Sequence, residues 1–410
     1  MGCSHTFCVK AQHIPLSEEF CHAPAGQAGR LPYFGGARRT LAQAGPRADN
    51  LPAILCDGRR MNEINVPATK LSDFCIACFE ELGLSPEEAR LTAENLMFAN
   101  LRGVDSHGVI RLKIYADRIR AGGFKRGVGP QIVSEQDSAA VIDARHGLGQ
   151  VAATAAMRLA ITKAERSGVG VVTVKNSNHF GASAFYAMQA LEHGMIGFAA
   201  TNAGPTMAPT GGREGRLGNN AVAIAVPAGN HPPVVLDMAT GAVAWGKIFL
   251  AQQEKRKIPA TWALDKNGLP TDDPDAAAHQ GLIQPFGGYK GYGLSLLLDI
   301  LTGVLSGGGF ATHVRTLYRE VETPSQVANT CAALRIEAFL PLAEFRRRMD
   351  EIIELMRACP TAPGVERIFV PGEIEHETER RRREGGIPLQ PELQNELKAL
   401  GAELGVKPPF

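Results

Sequence analysis

The sequence predicts a mixed α and β protein: a sheet domain that is not of the Rossmann type, plus a helical domain formed by the N- and C-terminal segments. Three observations point there. Apolar residues recur at helical spacing from Ala68 to Ile119, and short β-branched runs alternate with helical stretches from Ala139 to Asp237. The length, 410 residues, is about two to three times that of a usual domain. The expected division is 1–60 as a poorly ordered extension, 61–132 with 300–410 as the helical domain, and 133–299 as the α/β domain.

Composition narrows the function classes. Hydrophobic residues are 44% and charged residues 21%, close to globular averages, which excludes a disordered, collagenous or coiled-coil protein. Lys and Arg total 43 against 42 Asp and Glu, so the basic excess needed to follow a phosphate backbone is missing and no nucleic-acid partner is expected. The most apolar stretch, Leu294 to Leu305, contains Asp299 and runs into Gly307, Gly308 and Gly309. It is too short and too polar to span a bilayer, so no membrane partner is expected. Cys3, Cys8, Cys21, Cys56, Cys75, Cys78, Cys331 and Cys359 are scattered and no apolar leader is evident, which points to a reducing cytoplasm. The 45 glycines fall in short clusters, as in loops where backbone approaches a ligand.

In residues 1–60 no amphipathic period lasts, and Pro, Gly and Ala punctuate throughout. Met1-Gly2-Cys3-Ser4-His5-Thr6 fits a myristoylation pattern, and Arg30, Arg38, Arg39, Arg47, Arg59 and Arg60 could suit a transit peptide. An extension upstream of a start at Met61 is the third reading. Leu71, Phe74, Cys75, Cys78, Phe79 and Leu82 then form the stripe of a core-facing helix. Both sulfurs of the CxxC lie on that stripe, which predicts buried structural thiols rather than a redox or zinc site. Cys3, Cys8, Cys21 and His22 are spaced unlike a zinc finger, and no metal site is expected.

Ser85-Pro86-Glu87-Glu88 supplies an N-cap, a first-turn proline and an N3 glutamate for a helix to about Asn100, stopped by Gly103. The third helix is expected from Asp105-Ser106 to Gly122-Gly123, with Val109, Leu112, Ala116 and Ile119 inward. His107, Arg111 and Tyr115 recur at i, i+4 and i+8 on another face. That row suits a carboxylate substrate, gripped by Arg while His moves a proton; the alternative is an exposed face with a snorkelling Arg.

Beyond Gly129 the expected elements are strands at 139–143, 171–174, 196–201, 221–226 and 234–237, with helices at about 150–166 and 183–193. Gly147-x-Gly149-x-x-Ala152 imitates a dinucleotide fingerprint, but Lys175 and Asn176 stand where the ribose-binding acid belongs. A tight loop is the better reading. In Lys175–Gly181 a strand hands over to a helix, and His179 there is either an acid/base group or a histidine satisfied by backbone. Phe286–Gly293 opens an apolar helix, and Lys290 among its glycines makes either an anion cradle or a structural hinge. Arg380–Arg383, bracketed by Glu377, Glu379 and Glu384, reads as a solvated helix face.

The segments DSHGVIR (Asp105–Arg111), NSNHFGA (Asn176–Ala182), GNNAVAIAVP (Gly218–Pro227), LDMATG (Leu236–Gly241), FGGYKGYGL (Phe286–Leu294) and VPGE (Val370–Glu373) occur in this order over some 350 residues. In these the chain from about Met61 resembles the type-2 malate/L-lactate dehydrogenase family. The resemblance implies an NAD(P)-dependent oxidoreductase with a non-Rossmann cofactor-binding sheet domain, usually a homodimer. It would transfer a hydride between the nicotinamide of NAD or NADP and C2 of a small 2-hydroxy or 2-oxo acid such as malate or lactate. The alternatives are reduction of a cyclic imine acid such as piperideine- or pyrroline-2-carboxylate and, in another class, a non-catalytic binding protein on the same scaffold. By similarity His179 is the acid/base and His107 the second choice. Ser106, Arg111 and Tyr115 would contact substrate; Asp237, Met238, Ala239, Lys290, Gly372 and Glu373 would hold the cofactor. Ala203-Gly204 departs from relatives that carry a cofactor-contacting Ser followed by Asp, so that contact is not carried over.

Overall fold

The computed structural model describes residues 63–410, and the expectations placed on 1–60 lie outside them. The chain opens with strand β1 (Ile64–Val66), helices α1 (Ala68–Glu81), α2 (Pro86–Leu101) and α3 (Leu112–Ala121), and the hairpin β2 (Gln131–Glu135) and β3 (Ala139–Asp143). Then come α4 (Gly149–Ser167), β4 (Val169–Ser177), the single turn α5 (Ala184–Ala187), β5 (Met195–Thr201), β6 (Pro205–Met207), β7 (Leu217–Gly218), β8 (Ala221–Val226) and β9 (Val234–Ala239). A small insertion follows, with α6 (Trp245–Gln253), β10 (Ala263–Leu264), β11 (Pro270–Thr271), α7 (Pro274–Gln280) and β12 (Leu282–Ile283). The rest is α8 (Tyr289–Asp299), β13 (Val327–Arg335), α9 (Leu342–Arg357), α10 (Glu373–Gly385), β14 (Ile387–Leu389) and α11 (Pro391–Leu404).

Seven strands form the main sheet in the order β2-β3-β4-β13-β5-β8-β9. Only β3 and β4 pair in parallel, with α4 as their crossover; the other pairings in this sheet are antiparallel. A Rossmann sheet is parallel throughout its nucleotide-binding half, so the expected mixed, non-Rossmann architecture is what the chain adopts.

Two expectations need correction. The sheet is not confined to 133–299, because its central strand, β13, comes from the C-terminal part. Asn329, Cys331, Ala332 and Ala333 lack the β-branched and aromatic side chains by which strands are read, and Thr330 stands alone among them. They are small because α4 lies close over them: Ala153, Ala156 and Ala160 are buried, and a Cβ on Gly170 of neighbouring β4 would stand 1.9 Å from the Ala160 carbonyl oxygen. Nor is Asp105–Gly122 one helix. It begins as two 3-10 turns, Asp105–His107 and Val109–Arg111, separated at Gly108 (φ −86°, ψ −149°), before α3 starts. The row His107, Arg111, Tyr115 is therefore folded rather than straight.

Two large cores result. Leu71, Phe79, Leu96, Leu112 and Leu397 join α1, α2, α3 and α11; Met157, Val172, Val174, Tyr186 and Ala223 lie between α4, α5 and the main sheet. A third, small core around Ile248, Ala263 and Ile283 belongs to the insertion. Ser85 and Glu88 make the reciprocal capping box expected of α2. Cys75 and Cys78 are fully buried in the helical core, and burial pushes the Cys78 thiol up to about 12 and that of Cys75 well above its usual value. Thiols so held are inert packing groups. No helix among the described residues is long and apolar enough to cross a membrane.

Candidate active site

Two loops carry the histidines, and α2 holds both. Asn95 and Asn100 project from it with 0% and 2% exposure. The Asn95 side-chain oxygen accepts the Ala182 N–H at 3.2 Å, and its Nδ2 donates to the Tyr186 hydroxyl at 3.3 Å. A Cβ on Gly181 (φ +80°) would fall 1.7 Å from that Asn95 oxygen, so only glycine lets the His179 loop reach α2. The Asn100 oxygen accepts the Val109 N–H at 2.7 Å and its Nδ2 donates to Asp105 at 2.6 Å, which pins the turns on either side of His107. From α10, Arg382 forks onto both oxygens of Asp105 at 2.6 and 2.9 Å. The arginine run is thus more than the solvated face its composition suggested: its third member braces a histidine loop.

Behind His179 the asparagines of the strand-to-helix loop are structural. Asn176, at φ +52°, donates to both oxygens of Asp143. Asn178 donates to the carbonyls of His146 and Gly147 at 2.8 and 2.9 Å and accepts the Ser325 N–H at 3.0 Å. A Cβ on Gly149 would stand 2.4 Å from the Asn178 carbonyl oxygen and 2.6 Å from that of His179. The glycine that imitates a nucleotide fingerprint therefore lets α4 start against the histidine loop.

The two imidazoles stack with centroids 5.5 Å apart and planes 16° from parallel. Ser106 Oγ lies 3.0 Å from His107 Nδ1. Arg111 sets its guanidinium over the Tyr318 ring, 5.3 Å from the centroid, and forms no ion pair among the described residues; its buried Nε lacks a hydrogen-bond partner. The Tyr115 side chain is fully buried and its hydroxyl lies 2.7 Å from His179 Nδ1, so it braces the histidine. Tyr318 belongs to a segment stapled by Arg118, which is fully buried and donates to the carbonyls of Leu317 at 3.0 Å and Thr323 at 2.6 Å and to Ser325 Oγ at 3.0 Å.

Burial and the Arg111 charge lower the His107 pKa from 6.5 to about 4. Burial first, then His107, Arg111 and Arg118, holds His179 well below 6.5. Both rings are neutral at pH 7, and the unfolded chain takes up their protons before the folded chain does. Their contribution to stability is complete above pH 6.5 and is lost as pH falls towards the folded values. For His107 alone this amounts to on the order of 1 kcal/mol at pH 5 after allowance for its solvent contact. Urea unfolding at pH 7 and pH 5 should therefore show a larger loss in the parent than in His107→Asn; equal losses would contradict it.

The segments assigned to the cofactor meet along β9, the edge strand of the sheet. The Val235 N–H donates to the Pro371 carbonyl at 2.9 Å, and the Phe286 N–H to that of Thr240 at 3.0 Å, which brings Gly372 and the Lys290 loop to the same edge. Asp237 accepts the Ala184 N–H at 2.9 Å, tying this edge to the chain that follows His179. Although Asp237 keeps solvent contact, protein packed around its carboxyl raises its pKa to about 6, against the pull of that N–H and of Arg102. Lys290 is exposed in the first turn of α8, after Gly287 (φ +58°) and Gly288 (φ +65°), where a Cβ would meet nothing within 4 Å. Nearby, Thr240 Oγ1 and Asn219 Oδ1 are buried without partners. Free N–H groups, a lysine and orphaned polar atoms on one edge fit a dinucleotide. Gly372 borders a recess of about 400 Å³ that Arg102, His376 and Arg380 also line. The Glu373 carboxylate is already engaged, accepting from Arg357 at 2.9 Å and from the Val370 N–H at 3.1 Å; it locks the start of α10.

The model of the malate/L-lactate dehydrogenase family matches residues 66–398. A malate dehydrogenase of Pyrococcus abyssi is 40% identical over 353 residues, covering 84% of this chain and 96% of the relative. The solved sulfolactate dehydrogenase of Methanocaldococcus jannaschii superposes with a TM-score of 0.79 at 38% identity, over 84% of this chain and 98% of that one. A Δ1-piperideine-2-carboxylate reductase of Pseudomonas syringae superposes with a TM-score of 0.74 at 28% identity, over 82% and 99%. With stacked histidines, an arginine unpaired among the described residues and a polar sheet edge in place, the chain belongs to the malate/L-lactate dehydrogenase family and is an oxidoreductase of the hydroxy-acid dehydrogenase kind.

Proposed function

We propose that the protein interconverts a small 2-hydroxy acid and its 2-oxo acid with NAD or NADP, with malate- or lactate-like substrates first. The observation that carries this is Arg111, a mostly buried cation with no carboxylate partner among the described residues, beside two neutral imidazoles. Such a cation favours an anionic ligand, and a guanidinium grips a carboxylate through two parallel hydrogen bonds. The cofactor, when bound, gives or takes the hydride at C2. His179 moves the hydroxyl proton, a neutral imidazole being a competent base at pH 7, and His107 stacks on it. Ser106 lies beside His107, in the 3-10 turn before the one that carries Arg111, which suits a further contact to the acid.

Asp237, Met238, Ala239, Lys290, Gly372 and Glu373 are assigned to the cofactor, Glu373 through its backbone because its carboxylate is engaged. A homodimer fits the apolar row left open on one chain: Leu297, Leu301, Val304 and Leu305 are 44–57% exposed on α8 and the π turn that continues it.

Reduction of a cyclic imine acid is the second reading, favoured by the likeness to the P. syringae reductase. A panel of oxaloacetate, pyruvate and piperideine-2-carboxylate, each assayed with NADH and NADPH, separates the two. Oxo-acid reduction at least tenfold faster in kcat/KM is expected. Faster imine reduction would reverse the assignment, and no turnover with no quenching of NADH fluorescence would mark a non-catalytic protein.

A further inference from the structure

Behind His179 lies a chain of polar side chains that proton transfer at its front does not use. Gln150, in the first turn of α4, is fully buried and donates through Nε2 to the Tyr115 oxygen at 3.1 Å. That oxygen is 2.7 Å from His179 Nδ1, and the Gly181 N–H also points at Nδ1 from 3.3 Å. Gln150 Oε1 is buried with no hydrogen-bond partner. With the hydrogens running this way, Tyr115 accepts from Gln150 and donates to His179. A neutral ring so held carries its proton on Nε2 and has no lone pair there to receive one.

A ring that accepts a hydroxyl proton needs the opposite arrangement. Nδ1 must carry hydrogen and donate it to Tyr115, and the phenol hydrogen then needs another acceptor. A half-turn of the Gln150 amide puts Oε1 in the place of Nε2, facing the phenol. The orphaned oxygen thereby gains its partner, at the cost of the Nε2 donor losing its own and of the Gly181 N–H bond to Nδ1.

On the reading that His179 is the acid and base, we propose that Gln150 is its positioning residue: turning the buried amide reverses the Gln150–Tyr115–His179 chain and sets which ring nitrogen faces the substrate with a lone pair. In the working direction the bonds run from His179 Nδ1–H to Tyr115 and from the Tyr115 hydroxyl to Gln150 Oε1. The Nε2 proton then passes to the substrate alkoxide in reduction and returns from the substrate hydroxyl in oxidation, with Nδ1–H in place throughout. The charged and titratable groups that face the ring are His107 and Arg111 from the two 3-10 turns and Tyr115 and Arg118 from α3. Among the described residues the Tyr115 oxygen meets His179 and Gln150, and with His179 donating to it the phenol hydrogen is left to Gln150.

The test is Gln150→Leu, similar in volume and unable to accept. Turnover should fall about ten- to a hundredfold with substrate KM and cofactor affinity within about twofold of the parent, the scale for a residue that orients a catalytic group. The acid limb of the kcat profile for oxidation should move to lower pH, because the imidazolium loses its partner chain. Unchanged kcat and an unchanged limb would overturn the inference while His179→Ala remained inactive; an active His179→Ala would instead overturn the reading it rests on. If Gln150→Leu does not fold, the parent decides. In its complex with NADH and oxamate, the ¹⁵N shifts of His179 should report a protonated Nδ1, and a bare Nδ1 would overturn the inference.

Discussion

His179→Ala is expected to lower turnover by about two to four orders of magnitude with cofactor affinity intact, the usual loss on removing a positioned acid/base. Three features concentrate the effect there. The ring is neutral at working pH because burial and the cations Arg111 and Arg118 disfavour its charged form. Its Nδ1 is engaged by Tyr115, which leaves Nε2 as the reacting atom. Its loop is fixed on both sides, by Asn178 to the His146–Gly147 carbonyls and by Gly181 against Asn95. Alanine leaves that scaffold in place, because the loop is held by backbone and asparagine bonds and not by the imidazole. NADH titration followed by fluorescence should give a Kd within about threefold of the parent, and steady-state assays should give the loss in kcat. Turnover within tenfold of the parent would move the acid/base role to His107, whose ring stacks on it.

Arg111→Ala should cost about 10²- to 10³-fold in kcat/KM for a 2-oxo acid, and Arg111→Lys should recover only part of it. Two charge-assisted hydrogen bonds to a carboxylate contribute on the order of 1.5–3 kcal/mol each, of which a point charge on a flexible stem regains a fraction. The arginine is already oriented by the Tyr318 ring, so little ordering remains when substrate arrives. The loss should appear as higher KM together with lower kcat, since a loosely held acid is also misaligned for hydride transfer. An amide analogue of the substrate, which lacks the negative charge, should show a much smaller difference between parent and variant. Equal losses for acid and amide would mean that Arg111 shapes the site without holding the carboxylate.

The two candidate-site loops are legible in the sequence because their pattern is local. A histidine among small amides after a β run, and a lysine among glycines before an apolar helix, are patterns a few residues long. The anchors were not legible. Asn95, Asn100, Gln150 and Arg118 sit inside helices as ordinary polar residues, and their meaning lies in partners up to 207 positions distant, as for Arg118 and Ser325. Periodicity says which way a side chain points and not what it meets. β13 escaped for a related reason: its small residues answer to the closeness of α4, a tertiary demand that overrides strand propensity. The straight row through His107, Arg111 and Tyr115 failed at Gly108, where a Cβ would lie 2.2 Å from the Asn100 oxygen and the helix gives way to that contact. Tyr115 thereby meets His179, a contact that spacing along a straight helix does not foretell.

The two halves of the site hang from different struts. The histidine loops are tied to α2 by two asparagines, while the segment bearing Tyr318 is tied to α3 chiefly by Arg118. The two struts meet at Ser325, whose N–H donates to Asn178 at 3.0 Å while its hydroxyl accepts from Arg118 at 3.0 Å. Exchange of residues between Val314 and Gln326 is therefore expected to disturb the His179 loop unless Ser325 is kept along with Arg118 and the carbonyls it binds.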